Sequence, residues 1–307
     1  MNSSYFDKKE LFTGPMTQQY GSHMVMTNVA KELKVKHINI DTKFRDEYNA
    51  NTVTNYNITL PQRVNEVKNM SVTNVELPMT FYNISENLGN NSMKISTGPD
   101  EFILTIPDGQ YTQAGLVAAL AAIITPTSAP ATPLNIIITI VNNKAGVTTT
   151  PGSTYTIDFD VDSTGNFAKY NFKFRLGWLL GFRKQSYTLT SSKPLKSECL
   201  VDLSGPRYLY LVVDEFTNSG AQNSFVSPLP TSLINKNVLA RIPISLNNFP
   251  FMSVYPFHRT NGLLSDVRSY TGKVDIQKLN VQLVNENGIV MDLNGADFSF
   301  CLRMEHE

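Results

Sequence analysis

The sequence predicts an all-β protein, a β-sandwich carrying elaborations. Three observations predict it. Short runs in which apolar and polar residues alternate recur from Val35 onward, Asn, Gly, Pro and Asp cluster between them, and one segment alone has the composition and start signal of a helix. A chain of 307 residues is long enough for one large β domain or two ordinary ones.

Residues 1–34 come first and differ from the rest. They are rich in Ser, Thr, Gln, Asn and Met, carry scattered charges and show no sustained period, which predicts an extended N-terminal arm, with two readings open: a disordered tail, or an arm that orders against a neighbour. The first strands are expected at His37–Ile40, Thr52–Leu60 and Asn69–Leu77, the second showing Val53, Asn55 and Asn57 against Thr54, Tyr56 and Ile58. Further runs follow at Met93–Ser96, Phe102–Ile106, Leu134–Val141, Tyr155–Phe159, Tyr170–Phe174, Tyr187–Thr190, Leu200–Leu203 and Tyr208–Val213. Val238–Ile244, Lys273–Val284, Ile289–Leu293 and Asp297–Met304 complete them, and Asn142–Gly146 has the residues of a hairpin turn. About fifteen candidate strands exceed the eight of a plain jelly roll, so an insertion or subsidiary sheet is implied. The helix is expected over Thr112–Ile124, with Thr112 as N-cap after the Asp108-Gly109 turn. Its apolar residues run nearly all round, which predicts burial against a sheet, and Pro126, Pro130 and Pro133 end it in a surface loop.

Composition narrows the function classes. Lys+Arg and Asp+Glu both total 26, so no global basic field exists to hold a nucleic-acid backbone, and direct nucleic-acid binding is not expected. Charged residues are only 17% of the chain, below the ~25% of ordinary soluble domains, while Phe and Tyr are plentiful; such a surface suits a protein partner. The longest apolar run, Ala114–Ile124, is far short of the ~20 residues that span a bilayer, so no transmembrane segment is expected. The polar stretch Met1–Pro15 does not have the form of a secretory signal, and Cys199 and Cys301, both in strand-like apolar surroundings, are expected as buried free thiols of a reducing compartment.

No catalytic or cofactor motif occurs in the residues, so no enzyme activity, cofactor or metal is expected. The four histidines offer no i,i+4 pair, no CxxC occurs, and the nucleophile-elbow, Walker and GxGxxG patterns are missing. Asp158-Phe159-Asp160-Val161-Asp162 lacks the terminal Glu of a calcium loop and is expected as an exposed strand end. What stands out instead are apolar, aromatic segments with sharp turns. Arg175-Leu176-Gly177-Trp178-Leu179-Leu180-Gly181-Phe182-Arg183 holds the one Trp, and two readings of it stay open: Trp178 with Arg175 and Arg183 as an interface anchor, or Trp178 as a core plug. The run Phe249-Pro250-Phe251-Met252-Ser253-Val254-Tyr255-Pro256-Phe257 is broken by proline, which excludes a central strand and leaves an edge or a loop, with Phe249, Phe251, Tyr255 and Phe257 as candidate contact residues. A carbohydrate- or receptor-binding β-sandwich is a rival reading that would recruit Tyr187, Tyr270 and the 158–162 acids; a glycosidase would need two carboxylates facing across a cleft, and no pair compels it.

Several segments, in order, resemble the jelly-roll minor capsid and penton proteins of the nucleocytoplasmic large DNA viruses, the giant viruses. They are Ile38–Asp46, Leu60-Pro61, Val67–Pro78 with Phe81–Ser85, Ile106–Thr112, Leu176–Arg183, Gly205–Phe216 and Val238–Pro243. The resemblance implies a jelly-roll β-sandwich over residues 35–307 with an insertion around 85–175. It implies a non-enzymatic structural protein of an icosahedral virion capsid, assembled in the host cell cytoplasm. Its partners would be major capsid protein capsomers and other minor capsid proteins, with self-association, or, as the alternative, it would be the penton subunit at the five-fold vertex. Deletion of residues 1–34 is expected to leave the sandwich folded and to lower incorporation into particles; unchanged incorporation would refute the arm.

Overall fold

The computed structural model describes residues 17–20, 24–27, 32–45, 53–98, 100–127, 134–167, 172–216, 237–244 and 250–307. Strands β1 (Thr17–Tyr20) and β2 (Met24–Thr27) pair with each other; the rest of the arm lies outside the described residues, apart from the approach to the next strand. Then β3 (Lys34–Asp41) and β4 (Asn55–Pro78) open the larger of two units. The chain next builds a smaller unit from β5 (Ser92–Thr97), β6 (Asp100–Thr105), helix α1 (Gln113–Thr127), β7 (Ile136–Val141), β8 (Lys144–Thr149), β9 (Thr154–Asp158), the short helix α2 (Leu176–Leu179), β10 (Ser186–Thr190) and β11 (Leu195–Lys196). It returns to the larger unit with β12 (Tyr208–Asp214), β13 (Val238–Pro243), β14 (Val254–His258), β15 (Leu264–Ser265), β16 (Arg268–Asn285) and β17 (Ser299–His306). The protein is all-β with curled antiparallel sheets, as its sequence predicts.

The larger unit is one curled sheet in the order β15-β13-β12-β16-β4-β17-β3, with β14 also on β4. Strand β4 explains the curl. It pairs with β16 from Asn55↔Gln282 to Met70↔Arg268, takes β17 on its other side from Val67 to Glu76, and pairs with β14 from Asn74 to Pro78. Two strands were expected here, Thr52–Leu60 and Asn69–Leu77, with Pro61 between them. They are one strand of 24 residues, because the β16 register slips between Ile276 and Lys278, opposite the Thr59–Val64 stretch that contains Pro61, and a slipped ladder asks no N–H of the proline. Glu66, with φ 56°, marks the bend, and Val64 and Val67 are buried beside it.

Side chains from both layers fill the space between them, among them Val72, Leu77, Phe257, Leu283, Phe300 and Met304, all without exposed surface. The far edge is tied back to β4: the Val72 N–H donates to the Ser265 hydroxyl at 2.8 Å, and that hydroxyl donates to the Leu239 carbonyl at 3.3 Å. Close by, Arg268 carries a buried charge. Its guanidinium binds Glu215 at 2.7 Å and the carbonyls of Val213 and Asn237 at 2.7 and 2.8 Å, so the charge is both paired and hydrogen-bonded.

The smaller unit has its own core, drawn from residues between Ile84 and Val201 and including Leu176, Leu180, Phe182, Leu189 and Leu195. Sheets β10-β9-β5-β6 and β11-β8-β7 enclose it. The β7–β8 hairpin turns at Asn142 and Asn143, both with positive φ, as their residue types predict. Thr112 caps α1, its hydroxyl accepting the Gly115 N–H at 3.2 Å. The helix runs to Thr127, past its expected end at Ile124, with Pro126 in its last turn. One face alone is buried, through Leu116, Leu120 and Ile124, while Ala118, Ala121 and Ala122 face outward; alanines made the pattern look apolar all round.

Other expectations need correction. Tyr170–Phe174 is not a strand where it is described; Phe172–Phe174 forms a single 3-10 turn. Leu200–Leu203 belongs to no ladder, its N–H groups going from Val201 to Asn143 and from Asp202 to Leu179. Ile289–Leu293 makes one bridge, between Val284 and Val290. The last two runs place Val201, Met291 and Leu293 in a core, so their apolar pattern records burial without a strand ladder. The 158–162 acids are not an exposed strand end: Asp158 and Asp160 are buried, and Asp162 ties a turn by accepting from Thr164 and Asn166. The two cysteines are free but half-buried.

Arg268→Ala or Glu215→Ala is expected to lower the unfolding free energy by about 3–5 kcal/mol, because each strands a buried charge. Chemical denaturation of the single variants and of an Arg268→Met/Glu215→Leu double variant checks this, the double variant being expected to recover much of the loss.

Candidate functional site

The two units meet around Asn83, which is 3% exposed. Its amide donates to the carbonyls of Tyr111 and Leu203, each at 2.9 Å, and its Oδ1 accepts the Tyr111 N–H at 2.8 Å. The Gln110 side chain takes the Asn83 N–H, and Asn90 donates to its carbonyl. Beside this junction lies a cleft of about 350 Å3 whose walls come from both units, including Trp178, Lys173 and Asp202 on one side and Arg207, Tyr208 and Glu286 on the other.

Trp178 is half-buried on α2, at this cleft and outside the buried core of the smaller unit. The Arg183 guanidinium lies 3.8 Å from its ring centroid and donates to the carbonyls of Trp178 and Phe182, which fixes it over the ring; Phe172 meets the ring edge-on at 5.8 Å. Two glycines set this geometry. A Cβ on Gly177 would run into Phe159, and Gly181, at φ +89°, brings its backbone against the Cys199 carbonyl. Across the cleft Arg241 stacks on Tyr208 at 4.1 Å, a second cation over an aromatic face.

The charges of the cleft are set by local contacts. Burial pushes the Glu286 carboxyl above the usual carboxylate range, and one of its oxygens is buried without a partner. At Asp202 burial works the same way but is outweighed by the Ser204 hydroxyl and N–H and by Arg207, so its carboxyl is held low. Arg175 does not reach the cleft surface. It is 7% exposed, donates to the Gly89 carbonyl at 2.8 Å and lies 4.0 Å from Asp160, whose carboxyl burial pushes up against the opposing pull of Arg175 and Gln185.

The proline-broken segment forms a different surface. Among the described residues its strand β14 has a partner on one side only, β4, and Pro256 stands opposite Glu76, in keeping with the edge that the sequence predicts. Phe251 is half-buried and stacks on Tyr82 at 5.9 Å, and Tyr255 is half-buried too, while Met252 and Val254 are 73% and 67% exposed. Phe257 is fully buried, meeting Tyr255 edge-on at 4.8 Å, and offers no surface. Phe249 lies outside the described residues. The structure thus brings Trp178 and Arg183 together, makes Arg175 and Phe257 interior, and places Phe251 and Tyr255 far along the sequence on a separate strand edge. Asn83, Arg207, Tyr208 and Glu286 carry no site signal in the sequence, since their meeting with Trp178 depends on tertiary contacts between distant segments.

The tyrosines that a sugar-binding reading would recruit are engaged within the protein. Tyr187 packs on Phe159 and Phe182 and its hydroxyl binds Glu198 at 2.8 Å, while Tyr270 is buried. Among the described residues no group of three or more His, Cys, Asp or Glu could hold a metal ion, and no helix is long and apolar enough to cross a membrane.

No protein-family profile and no curated protein matches the chain. Among solved structures it is similar to the selenomethionine-labelled penton protein of mavirus, with 10% identity and a TM-score of 0.43, the alignment covering 90% of this chain and 100% of that one. A similar likeness links it to a chain of the Sputnik virophage structure, with 12% identity and a TM-score of 0.40 over 90% of this chain and 98% of that one.

Trp178→Ala is expected to cost about 1–2 kcal/mol of stability in a denaturation experiment, the scale of partial burial plus one cation–π contact. A loss of ~3–5 kcal/mol, as for a core aromatic, would place the ring in the interior instead.

Proposed function

We propose that this chain is a structural protein of an icosahedral virion, a minor capsid protein that cements major capsid capsomers and neighbouring minor capsid proteins, assembled in the host cell cytoplasm and without an enzymatic role. One observation carries the reading. Four of the segments that resemble the capsid family are neighbours in space: Phe81–Ser85 binds Ile106–Thr112 through Asn83, Tyr111 and the Ile84–Gly109 bridge, while Leu176–Arg183 and Gly205–Phe216 both line the adjoining cleft.

The surface chemistry agrees with it. A cleft framed by stacked Trp–Arg and Tyr–Arg pairs offers the residue types favoured at interface anchors. The β14 edge adds apolar side chains at Met252 and Val254, and Phe251 on Tyr82 extends that patch. These two surfaces are the proposed contacts with capsomers, with the arm of residues 1–34 adding a third.

Counting copies per purified particle by quantitative mass spectrometry, against the most abundant shell protein, tests the proposal. Hundreds of copies are expected for a protein spread beneath the facets. About 60, five at each of twelve vertices, would make it a penton subunit instead, and none would overturn the capsid reading.

A further inference from the structure

Strand β7 ends its sheet: among the described residues β8 is its partner on one side, and its other side carries no ladder. The β7–β8 hairpin turns on two residues, with Val141 facing Lys144, so Val141, Thr139 and Ile137 direct their backbone groups to β8. The N–H and C=O groups of Ile138 and Ile140 are thereby directed to the open side. Their side chains pack against the core of the smaller unit, whereas Ile137 and Val141 stand out of the sheet, 60% and 63% exposed.

An open edge accepts further strands, and several edges of this molecule are blunted against that. Strand β3 carries Lys34 and Lys36, β6 carries Asp100 and Glu101, β14 carries Pro256, and β11 and β15 are two residues long. Strand β7 reads Ile-Ile-Ile-Thr-Ile-Val, with neither a charge nor a proline. The lack of charge extends beyond it: residues 109–143 contain no Asp, Glu, Lys, Arg or His, in a chain of which 17% is charged. Helix α1, from the same stretch, sends Leu116, Leu120 and Ile124 into the core that Ile136 and Ile138 also enter, and so supports β7 from its inner face.

Charge and symmetry select the occupant. A charged segment laid along β7 would lose hydration against Ile137 and Val141 and meet no counter-charge, so the fitting partner strand is itself uncharged. A second copy of β7 is such a strand. Reversed about Thr139, it sets Ile137 opposite Val141, Thr139 opposite Thr139 and Val141 opposite Ile137, all β-branched and all on the outward face. In this register Ile138 and Ile140 exchange backbone bonds with Ile140 and Ile138 of the second copy, while the outward residues meet at non-hydrogen-bonded positions, where side chains approach most closely. We propose that β7 pairs antiparallel with β7 of a second copy about a two-fold axis at Thr139, joining two three-stranded sheets into one of six strands. The pairing requires nothing of the capsid reading. Two short strands bury less than the ~1,200–2,000 Å2 of a standard interface, so the dimer is a weak one that high local concentration favours.

Sedimentation velocity of the full chain, from micromolar to near-millimolar concentration, tests the pairing. A reversible dimer is expected, its dissociation constant raised ten-fold or more by Ile137→Lys and by Val141→Lys. Thr148→Lys, on the same face one strand in from the edge, is expected to leave it unchanged. All three positions are exposed, so the variants should stay folded, and their thermal unfolding is measured in parallel. Thr139→Cys reports the register: under mild oxidation it is expected to give a disulfide-linked dimer on a non-reducing gel, because the two-fold axis sets its two copies opposite each other. Thr148→Cys, and the unaltered chain with Cys199 and Cys301, should give none. No dimer at any concentration, a dimer or larger ring that both lysine variants leave intact, or failure of Thr139→Cys to cross-link would overturn the proposal. Equal cross-linking of Thr148→Cys would overturn it too, by placing the contact on the sheet face instead of its edge.

Discussion

One strand has to serve both layers of the larger unit. Strand β4 pairs with β16 as far as Met70 and with β17 and β14 from Val67 onward, so the stretch around its bend at Glu66 is where a single sheet turns into two facing layers. Without that bend the residues on its inner face would have no opposing layer to pack against. The buried valines beside the bend, the slipped register opposite Pro61 and the Ser265 tie to Leu239 and Val72 all serve the same closure.

The second dependency lies where β4 ends. A few residues beyond it, Asn83 joins the departing chain to the returning one, with donors and acceptor of its side chain all engaged. An asparagine with this many buried partners cannot be exchanged for an apolar residue without leaving backbone groups of Tyr111 and Leu203 unpaired. The cleft beside it inherits that rigidity, because Gly177 and Gly181 let α2 pack closely enough to hold Trp178 under Arg183.

Much of the fold is legible in the sequence because alternation and turn chemistry are local. The helix cap at Thr112, the Asn142–Asn143 turn and the proline-marked edge at β14 follow from residues a few positions apart. What the sequence hides is non-local. Pro61 reads as a break, and only the slipped pairing with β16 lets one strand pass through it. Asp160 reads as exposed until Arg175 and Gln185, brought in from elsewhere, give it a buried setting. The candidate site divides in the same way: Trp178 and Arg183, five residues apart, were readable together, whereas their companions Arg207, Tyr208 and Glu286 come from across the junction.

The path through Asn83 also bears on how the molecule reaches its native state. Pairing of β4 with β16 must bring together residues as distant as Tyr56 and Asn280, 224 positions apart, whereas the smaller core is assembled within the intervening stretch. Loop-closure entropy disfavours such remote contacts until the chain between them is shortened. Because Asn83 and Leu203 touch, folding of the smaller unit draws together the ends of a 120-residue excursion and so shortens the effective loop. Once consolidated, the inserted unit would therefore shorten the loop that closure of the larger sandwich has to span.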